Sequence, residues 1–379
     1  MKVIISVPGK FHAFDLGREL MKRNCLEELI TAFPKRKAGE YGIPRDKIVS
    51  LMAPEAIFRV WRKLPPFIRR IYNPHYLVSS VYDGLAARNL RSADVCVAWA
   101  GYALKTLTEA KKRGMAVVLE RGSSHIEYQT RILKEEYETF GANVRLAHPK
   151  IIEKELREYE TADRIAVPSS FVKKTFIEKG IPEEKLIYVP YGVDLSVFRQ
   201  APKEDGVFRV VFAGGMSLRK GVHYLLRAFA ELRLPNAELM LIGGMNDEIK
   251  PFFKKYEGSF TYMGRRPQAE LYRHFSNGSV FVIASIEEGL ALVIPQAMAC
   301  GLPVIATTNT GAEDVVRDGT EGFIISIRDV EALKEKIMYL YEHPEERNRM
   351  SASARERVSS SFTWDDYGTK IVEEYNHLL

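Results

Sequence analysis

The sequence predicts two α/β domains in tandem, each a parallel sheet wrapped by helices. Three observations carry this expectation. Short apolar, β-rich runs alternate with helix-period segments along the whole chain, the order that builds parallel sheets with crossover helices. The length of 379 residues suits two domains. The alternation is also interrupted near its middle by V-P-Y-G-V-D, from Val189 to Asp194, followed by a polar stretch up to Gly206. The expected domains are therefore 1–190 and 191–362, with a terminal helix at 363–379.

Buried strands are expected at 3–7, 95–98, 116–119 and 165–167 in the first half. In the second half they fall at 210–213, 239–242, 280–284, 304–306 and 323–325. At the chain end Thr363 and Asp366 form a weak capping-box pattern. Trp364, Tyr367, Ile371, Tyr375 and Leu378 then recur at three- and four-residue steps. This face must be buried, either in the core of the second domain or by a return onto the first; the domain assignment adopts the return.

Composition narrows the function classes. Apolar residues make up 46% and charged residues 27%, an ordinary globular balance. Cys25, Cys96 and Cys300 are too scattered for a disulfide framework or a zinc knuckle, which fits a reducing, cytoplasmic setting. The opening run reads as a first strand, not a signal peptide. No stretch reaches the ~18 apolar residues of a membrane span. The net charge of +6 is unevenly spread: residues 1–113 hold 21 Lys/Arg against 10 Asp/Glu. A basic first domain suggests an anionic partner.

Four loops carry candidate chemistry. Gly9, Lys10 and His12 follow the first strand, where a glycine before a helix lets backbone N–H groups approach an anion; His12 serves equally well as a helix cap. The second loop, Ala213 to Gly221, leaves a buried strand with Gly214 and Gly215 and enters an amphipathic helix through Arg219 and Lys220. Two cations beside free helix N–H groups suit a diphosphate. No Ser or Thr follows the lysine, so it is not a P-loop. The third loop runs from Ser285 into a helix and holds Glu287, Glu288, Gly289 and Leu290, with Gln296 at the helix start. Carboxylate and amide groups suit sugar or ribose hydroxyls. Glu287 reads as a solvent-facing charge, and Glu288 either as a ligand contact or as a helix-dipole carboxylate. In the fourth loop His125 follows the strand at 116–119. Strand C-terminal ends face the ligand crevice in parallel sheets, which aims His125 at a cleft; a lone histidine is also a common structural residue. No D-x-D, G-x-S-x-G or close Cys/His pair occurs, so neither a metal-bridged diphosphate nor an enzymic nucleophile is expected.

These residues resemble glycosyltransferase family 4, the retaining GT-B enzymes among glycosyl transferases group 1. The likeness is strongest from Glu288 to Ala306, with support from R-K-G at 219–221, from 159–198 and from G-K-F-H at 9–12. The family pattern is Glu, seven residues, Glu; here the second acid is Gln296. Its arginine after the first loop glycine is here Gly215. The resemblance implies two Rossmann-like domains facing a cleft and a nucleotide-diphosphate sugar as donor, with no metal or other cofactor. In it Arg219 and Lys220 hold the leaving diphosphate, Glu288 and His125 touch the transferred sugar, and Gln296 meets ribose. Gly214, Gly215, Gly289 and Leu290 shape the donor site, and Gly9, Lys10 and His12 the acceptor side. The reaction implied is transfer to a hydroxyl of a glycan or lipid-linked acceptor with retention. An epimerase or hydrolase of the same fold, or a non-catalytic nucleotide-sugar-binding protein, is the alternative.

Residues 58–76 interleave Arg59, Arg62, Lys63, Arg69 and Arg70 with Phe58, Trp61, Phe67, Ile68, Ile71 and Tyr72. The mixture suits peripheral contact with an anionic membrane on its inner face. It also suits an ordinary helix–loop–helix with core aromatics, broken at Pro65-Pro66. No recognised nucleic-acid motif accompanies it.

Overall fold

In the computed structural model, which describes residues 1–65, 67–68 and 73–379, two all-parallel sheets stand side by side. The first has seven strands: β1 (Val3–Val7), β2 (Leu26–Thr31), β3 (Ile48–Ser50), β4 (Val95–Trp99), β5 (Ala116–Glu120), β6 (Arg164–Val167) and β7 (Leu186–Tyr188). Their order is β3-β2-β1-β4-β5-β6-β7. The second has β8 (Phe208–Ala213), β9 (Ala237–Ile242), β10 (Thr261–Gly264), β11 (Val280–Ile283), β12 (Val304–Thr307) and β13 (Gly322–Ile325), in the order β10-β9-β8-β11-β12-β13. Both orders reverse beside the first strand of the sheet, so each has a switch point at β1/β4 or β8/β11, where loops diverge and leave a crevice.

The central strands are buried on both faces, as crossover helices require. Val3 to Val7 and Val95 to Trp99 are buried throughout, and so are Phe208 to Ala213. The core strands follow the expected runs within two residues. Four strands carried no sequence expectation: β2, β3, β7 and β10. β2 contains Glu27 and Glu28, which break its apolar run, yet the Glu28 side chain is buried. The other three are short edge or near-edge strands of three or four residues.

The chain crosses between the domains twice, and the crossings touch. Val193 N–H donates to Phe362 O at 2.8 Å, and Val193 bridges Thr363. A Cβ on Gly192 would lie 2.4 Å from the Thr363 carbonyl carbon, so only glycine fits there. The terminal helix Trp364–Asn376 opens with the capping box of Thr363 and Asp366 and lies against the helix Ala13–Lys22 of the first domain. Arg23 fixes it by donating to Asp365 Oδ1 at 3.0 Å and Thr369 Oγ1 at 2.8 Å. Tyr367, Ile371 and Tyr375 are buried against that first-domain helix and its neighbours.

Opposite this edge, two buried carboxylates tie the domains together reciprocally. Glu136, on the first-domain helix Ile126–Thr139, accepts from His223 Nε2 (3.0 Å), Tyr224 OH (2.9 Å) and Arg328 Nε (2.8 Å) of the second domain. Glu287 of the second domain accepts from Ser124 N (3.0 Å), Ser124 Oγ (2.7 Å) and Gln129 Nε2 (2.9 Å) of the first. Both side chains are fully buried. Burial pushes each carboxyl up, but these donors, with Arg219 for Glu287 and Arg328 for Glu136, outweigh it and hold both below the ordinary glutamate value.

Candidate functional site

The C-terminal ends of both sheets open onto one cleft, with a cavity of about 590 Å³. The second-domain wall is built by the loops after β8 and β11. Gly221, at φ 63°, starts the helix Val222–Leu232 directly against β11: a Cβ there would sit 1.8 Å from Ala284 O. That close seating aims the preceding residues at the cleft. Arg219 Nε donates to Glu287 O at 3.0 Å, and its guanidinium pairs with Glu287 at 3.0 Å and reaches Glu288 at 3.9 Å. Lys220 pairs with Glu288. Burial works against the Arg219 charge, and Glu287 and Glu288 more than restore it. Two cations and two carboxylates thus form one cluster, of which Arg219, Lys220 and Glu288 line the cavity.

The remaining donor-side residues divide. Gly214, at φ 156°, and Leu290 line the cavity. Gly289 meets the first domain: a Cβ on it would lie 2.0 Å from Gly122 O, and Ser169 Oγ donates to its carbonyl at 2.6 Å. Gly215 is exposed, with open space where a side chain would be. Gln296 is buried on the helix Val293–Ala299, one turn behind Leu292, which lines the cavity.

The first-domain wall comes from the loops after β1, β4 and β5. His12 lines the cavity, its ring tilted against Tyr191 at 4.2 Å and Trp99 at 5.0 Å between centroids, and its Nε2 donates to Glu120 Oε2 at 3.1 Å. Glu120 is almost wholly buried and its second oxygen, Oε1, has no hydrogen-bond partner among the described residues; the same holds for Tyr191 OH. Arg121 pairs with Glu155 at 3.2 Å and donates to Ser124 O and Gln129 Oε1. Gly9 and Lys10 do not line the cavity. A Cβ on Gly9 would lie 2.9 Å from the Phe11 ring, and Lys10 Nζ donates to Gln268 Oε1 at 3.4 Å, over the Tyr41 ring at 4.5 Å.

Two sequence expectations are overturned. His125 does not face the cleft. It caps the helix Ile126–Thr139, its Nδ1 accepting from Glu127 N–H at 3.3 Å, and its ring lies against Tyr159 and Phe176. Burial pushes it down to about 4, so it is neutral at physiological pH. β5 runs one residue further than expected, to Glu120, and the residues from Glu120 to Ser123 line the cavity in the place given to His125. Glu287 is not a solvent-facing charge but the buried interdomain carboxylate described above. Its signal was faint: adjacent acids on a loop normally diverge to solvent, and nothing local marks which one turns inward. Glu120 was legible in principle, since it ends β5.

Of the aromatic and cationic segment, the part in the helix Ala53–Lys63 does not line the cleft cavity, whereas His75 does. In the helix Ala53–Lys63, Arg59 and Arg62 both pair with Glu55, at 3.0 and 3.2 Å, and Val60 is exposed. Arg69, Arg70, Ile71 and Tyr72 lie outside the described residues. Among the described residues no helix is long and apolar enough to cross a membrane.

Comparison with known proteins finds related sequences and folds. Residues 196–357 match the family model described as glycosyl transferases group 1. The chain is similar to the GDP-mannose-dependent alpha-(1-6)-phosphatidylinositol monomannoside mannosyltransferase of Mycolicibacterium smegmatis, at 27% identity over 56% of this chain and 62% of that protein. It is similar also to the capsular polysaccharide biosynthesis glycosyltransferase CapM of Staphylococcus aureus, at 29% identity over 45% of this chain and 47% of that protein. The alignments thus span about half to three-fifths of the length of these curated relatives. Among solved structures, sucrose-phosphate synthase from Thermosynechococcus elongatus superposes with a TM-score of 0.73 at 18% identity, covering 99% of this chain and 98% of that one. Anabaena HepE in complex with UDP gives 0.72 at 17% identity, with both chains fully covered. At such identities the likeness establishes the fold, which is GT-B. The chain thus has the two parallel-sheet domains and shared cleft of the GT-B fold, and its segment from 196 to 357 matches the glycosyl transferases group 1 model.

Proposed function

We propose that this protein is a retaining glycosyltransferase. It moves a sugar from a nucleotide-diphosphate sugar to a hydroxyl of a glycan or lipid-linked acceptor, without a metal. The observation that carries the reading is the pair Arg219 and Lys220 on the cleft wall, already held by Glu287 and Glu288. As the glycosidic bond breaks, negative charge grows on the leaving diphosphate, and two fixed cations stabilise it where it develops. Glu288, beside them, accepts hydrogen bonds from hydroxyls of the transferred sugar when Lys220 turns to phosphate. Gln296, a turn behind the cavity wall, offers its amide to ribose.

On the opposite wall, Glu120 Oε1 and Tyr191 OH are buried polar atoms without partners among the described residues, a costly arrangement that a ligand hydroxyl relieves. His12 fixes the Glu120 carboxylate by its hydrogen bond. This wall is the acceptor side of the reading. In this reading the acceptor oxygen attacks from the face the diphosphate leaves, its proton passing to the departing diphosphate, and the anomeric configuration is retained. The basic first domain and residues 58–76 hold the enzyme against an anionic membrane that carries the acceptor.

The test is a panel of nucleotide sugars and nucleoside diphosphates read by thermal shift, since a ligand bound only to the native state raises its stability. A selective rise with one nucleoside diphosphate and its sugar, then acceptor-dependent release of that diphosphate, is expected. NMR of the product fixes the anomeric outcome. No rise with any member of the panel would overturn the reading; turnover without acceptor would make the protein a hydrolase or epimerase.

A further inference from the structure

A second cavity, of about 610 Å³, lies on the first domain away from the cleft. Three helices form it: His75–Asn89, Leu104–Lys112 and Pro149–Thr161. Ser80, Gly84 and Ala87 keep one wall low; a Cβ on Gly84 would lie 3.8 Å from Lys105 Nζ. A ridge made by His75 and Tyr102, hydrogen-bonded to each other at 2.9 Å, stands on the cleft side, while their chain neighbours Tyr76 and Leu104 line the groove.

The charge of this groove is one-sided. Two of its three carboxylates are satisfied within the fold. Asp83 accepts from the N–H groups of Lys105 and Thr106 at 3.0 and 2.9 Å and pairs with the buried Lys154 at 2.9 Å. Glu109 pairs with Arg113 at 2.9 Å, turned away along its helix. Only Glu153 is left to face Arg88, Lys105, Lys112, Lys150 and Arg157, all exposed. Among the described residues none of these five makes an ion pair, although Lys150 Nζ stands 5.4 Å over the Tyr76 ring. Elsewhere on the surface cations are commonly paired, as Arg59, Arg131, Arg227 and Arg349 are. Five like charges around a concavity repel one another, and the concave wall concentrates their field. An anion of more than one charge removes that cost, and Arg and Lys donors match phosphate oxygens in both charge and geometry.

The geometry points to a second anion site in this groove, one that takes a phosphate-bearing ligand distinct from the donor diphosphate. Phosphate of this kind comes either from an acidic phospholipid headgroup or from a soluble phosphate ester. The helix Ala53–Lys63 lies directly against His75–Asn89, so the groove opens beside the cationic segment of the domain.

The test removes the cleft cations first, so that it reports the groove alone. In the Arg219→Ala/Lys220→Ala protein, inorganic pyrophosphate is titrated by calorimetry, and vesicles of phosphatidylcholine with or without phosphatidylglycerol are co-sedimented at low salt. Lys105→Glu/Arg157→Glu is then added; both positions are exposed, and an unchanged melting temperature shows that the fold is kept. The expected result is binding of at least one probe that falls tenfold or more with the groove substitutions. Loss of pyrophosphate binding assigns a soluble ligand, and loss of vesicle binding alone assigns the headgroup. Binding of neither probe, or binding unchanged by Lys105→Glu/Arg157→Glu, would overturn the proposal. Because nucleotide-sugar binding is measured separately in the protein with its cleft intact, failure here leaves the reading of the cleft untouched.

Discussion

Replacing Glu287 by alanine tests how the two domains are joined. The substitution removes three hydrogen bonds from Ser124 and Gln129 of the first domain and an ion pair with Arg219 of the second. Deleting one partner of a buried pair costs about 3–5 kcal/mol. Arg219 is 31% exposed and keeps Glu288 nearby, so its share is discounted and the lower end, ~3 kcal/mol, is expected. Urea unfolding followed by tryptophan fluorescence measures it, because Trp99 lines the cleft. A double-mutant cycle with Ser124→Ala isolates the crossing contact, and a coupling of ~1.5–3 kcal/mol is expected for a hydrogen bond to a charged acceptor. The pH dependence gives a second reading. The folded-state pKa of Glu287 lies below its unfolded value of ~4.3. Its contribution is therefore fully present above that value and fades as pH falls through the lower folded one. The advantage of wild type over the alanine variant should be flat from neutrality to about pH 5 and narrow below about pH 4. Additive effects of the two substitutions, within ~0.5 kcal/mol, would refute the claim that Glu287 spans the domains.

Arg219→Ala/Lys220→Ala should weaken nucleoside diphosphate binding by ~1.5–3 kcal/mol per lost contact while leaving the fold intact, measured by calorimetry and circular dichroism. Gln296→Leu should weaken the same binding by ~0.5–1.5 kcal/mol, and Gln296→Glu should be tolerated; wild-type affinity in the leucine variant would remove Gln296 from the ribose contact. His125→Ala should lower stability by ~1 kcal/mol through the lost helix cap, with KM for the donor unchanged, whereas His125→Asn should restore most of the loss. If the first-domain wall is the acceptor side as proposed, Glu120→Gln should reduce turnover at saturating donor more than it changes donor affinity, as steady-state kinetics with varied acceptor will show.

The parts of this molecule that were legible in sequence are those whose signal is local. Buried central strands such as β4 and β8 announce themselves as apolar runs, and the loop from Gly214 to Gly221 carries its own chemistry. The capping box of Thr363 and Asp366 needs only a spacing of three. What was hidden depends on contacts between distant segments. Glu287 and Glu288 are chemically identical neighbours, and only the arrival of Ser124 and Gln129 from the other domain decides which is buried. Glu136 sits among Glu135 and Glu138 on a helix that looks solvated, until His223, Tyr224 and Arg328 close over it. His125 was misassigned because the path of the loop after β5 is set by contacts: Arg121 donates to Ser124 O, and His125 is turned to cap the next helix.

The two touching crossings at Val193 and Thr363 give the molecule the mechanics of a book whose spine is narrow. Both covalent links lie on one line, so the covers swing about a single axis, and neither slides relative to the other without breaking the Val193–Phe362 hydrogen bond. The opposite, fore edge is closed by non-covalent contacts, among which the buried carboxylates Glu136 and Glu287 act as clasps beside the Ser169–Gly289 hydrogen bond. In the proposed reading a large substrate enters from the clasp edge, and parting the covers there requires the buried carboxylates to let go of their donors. Because those clasps are shielded from water, added salt should barely change that parting. In the proposed reading, loosening the Glu136 clasp, which lies away from the cleft cations, should shorten product dwell time.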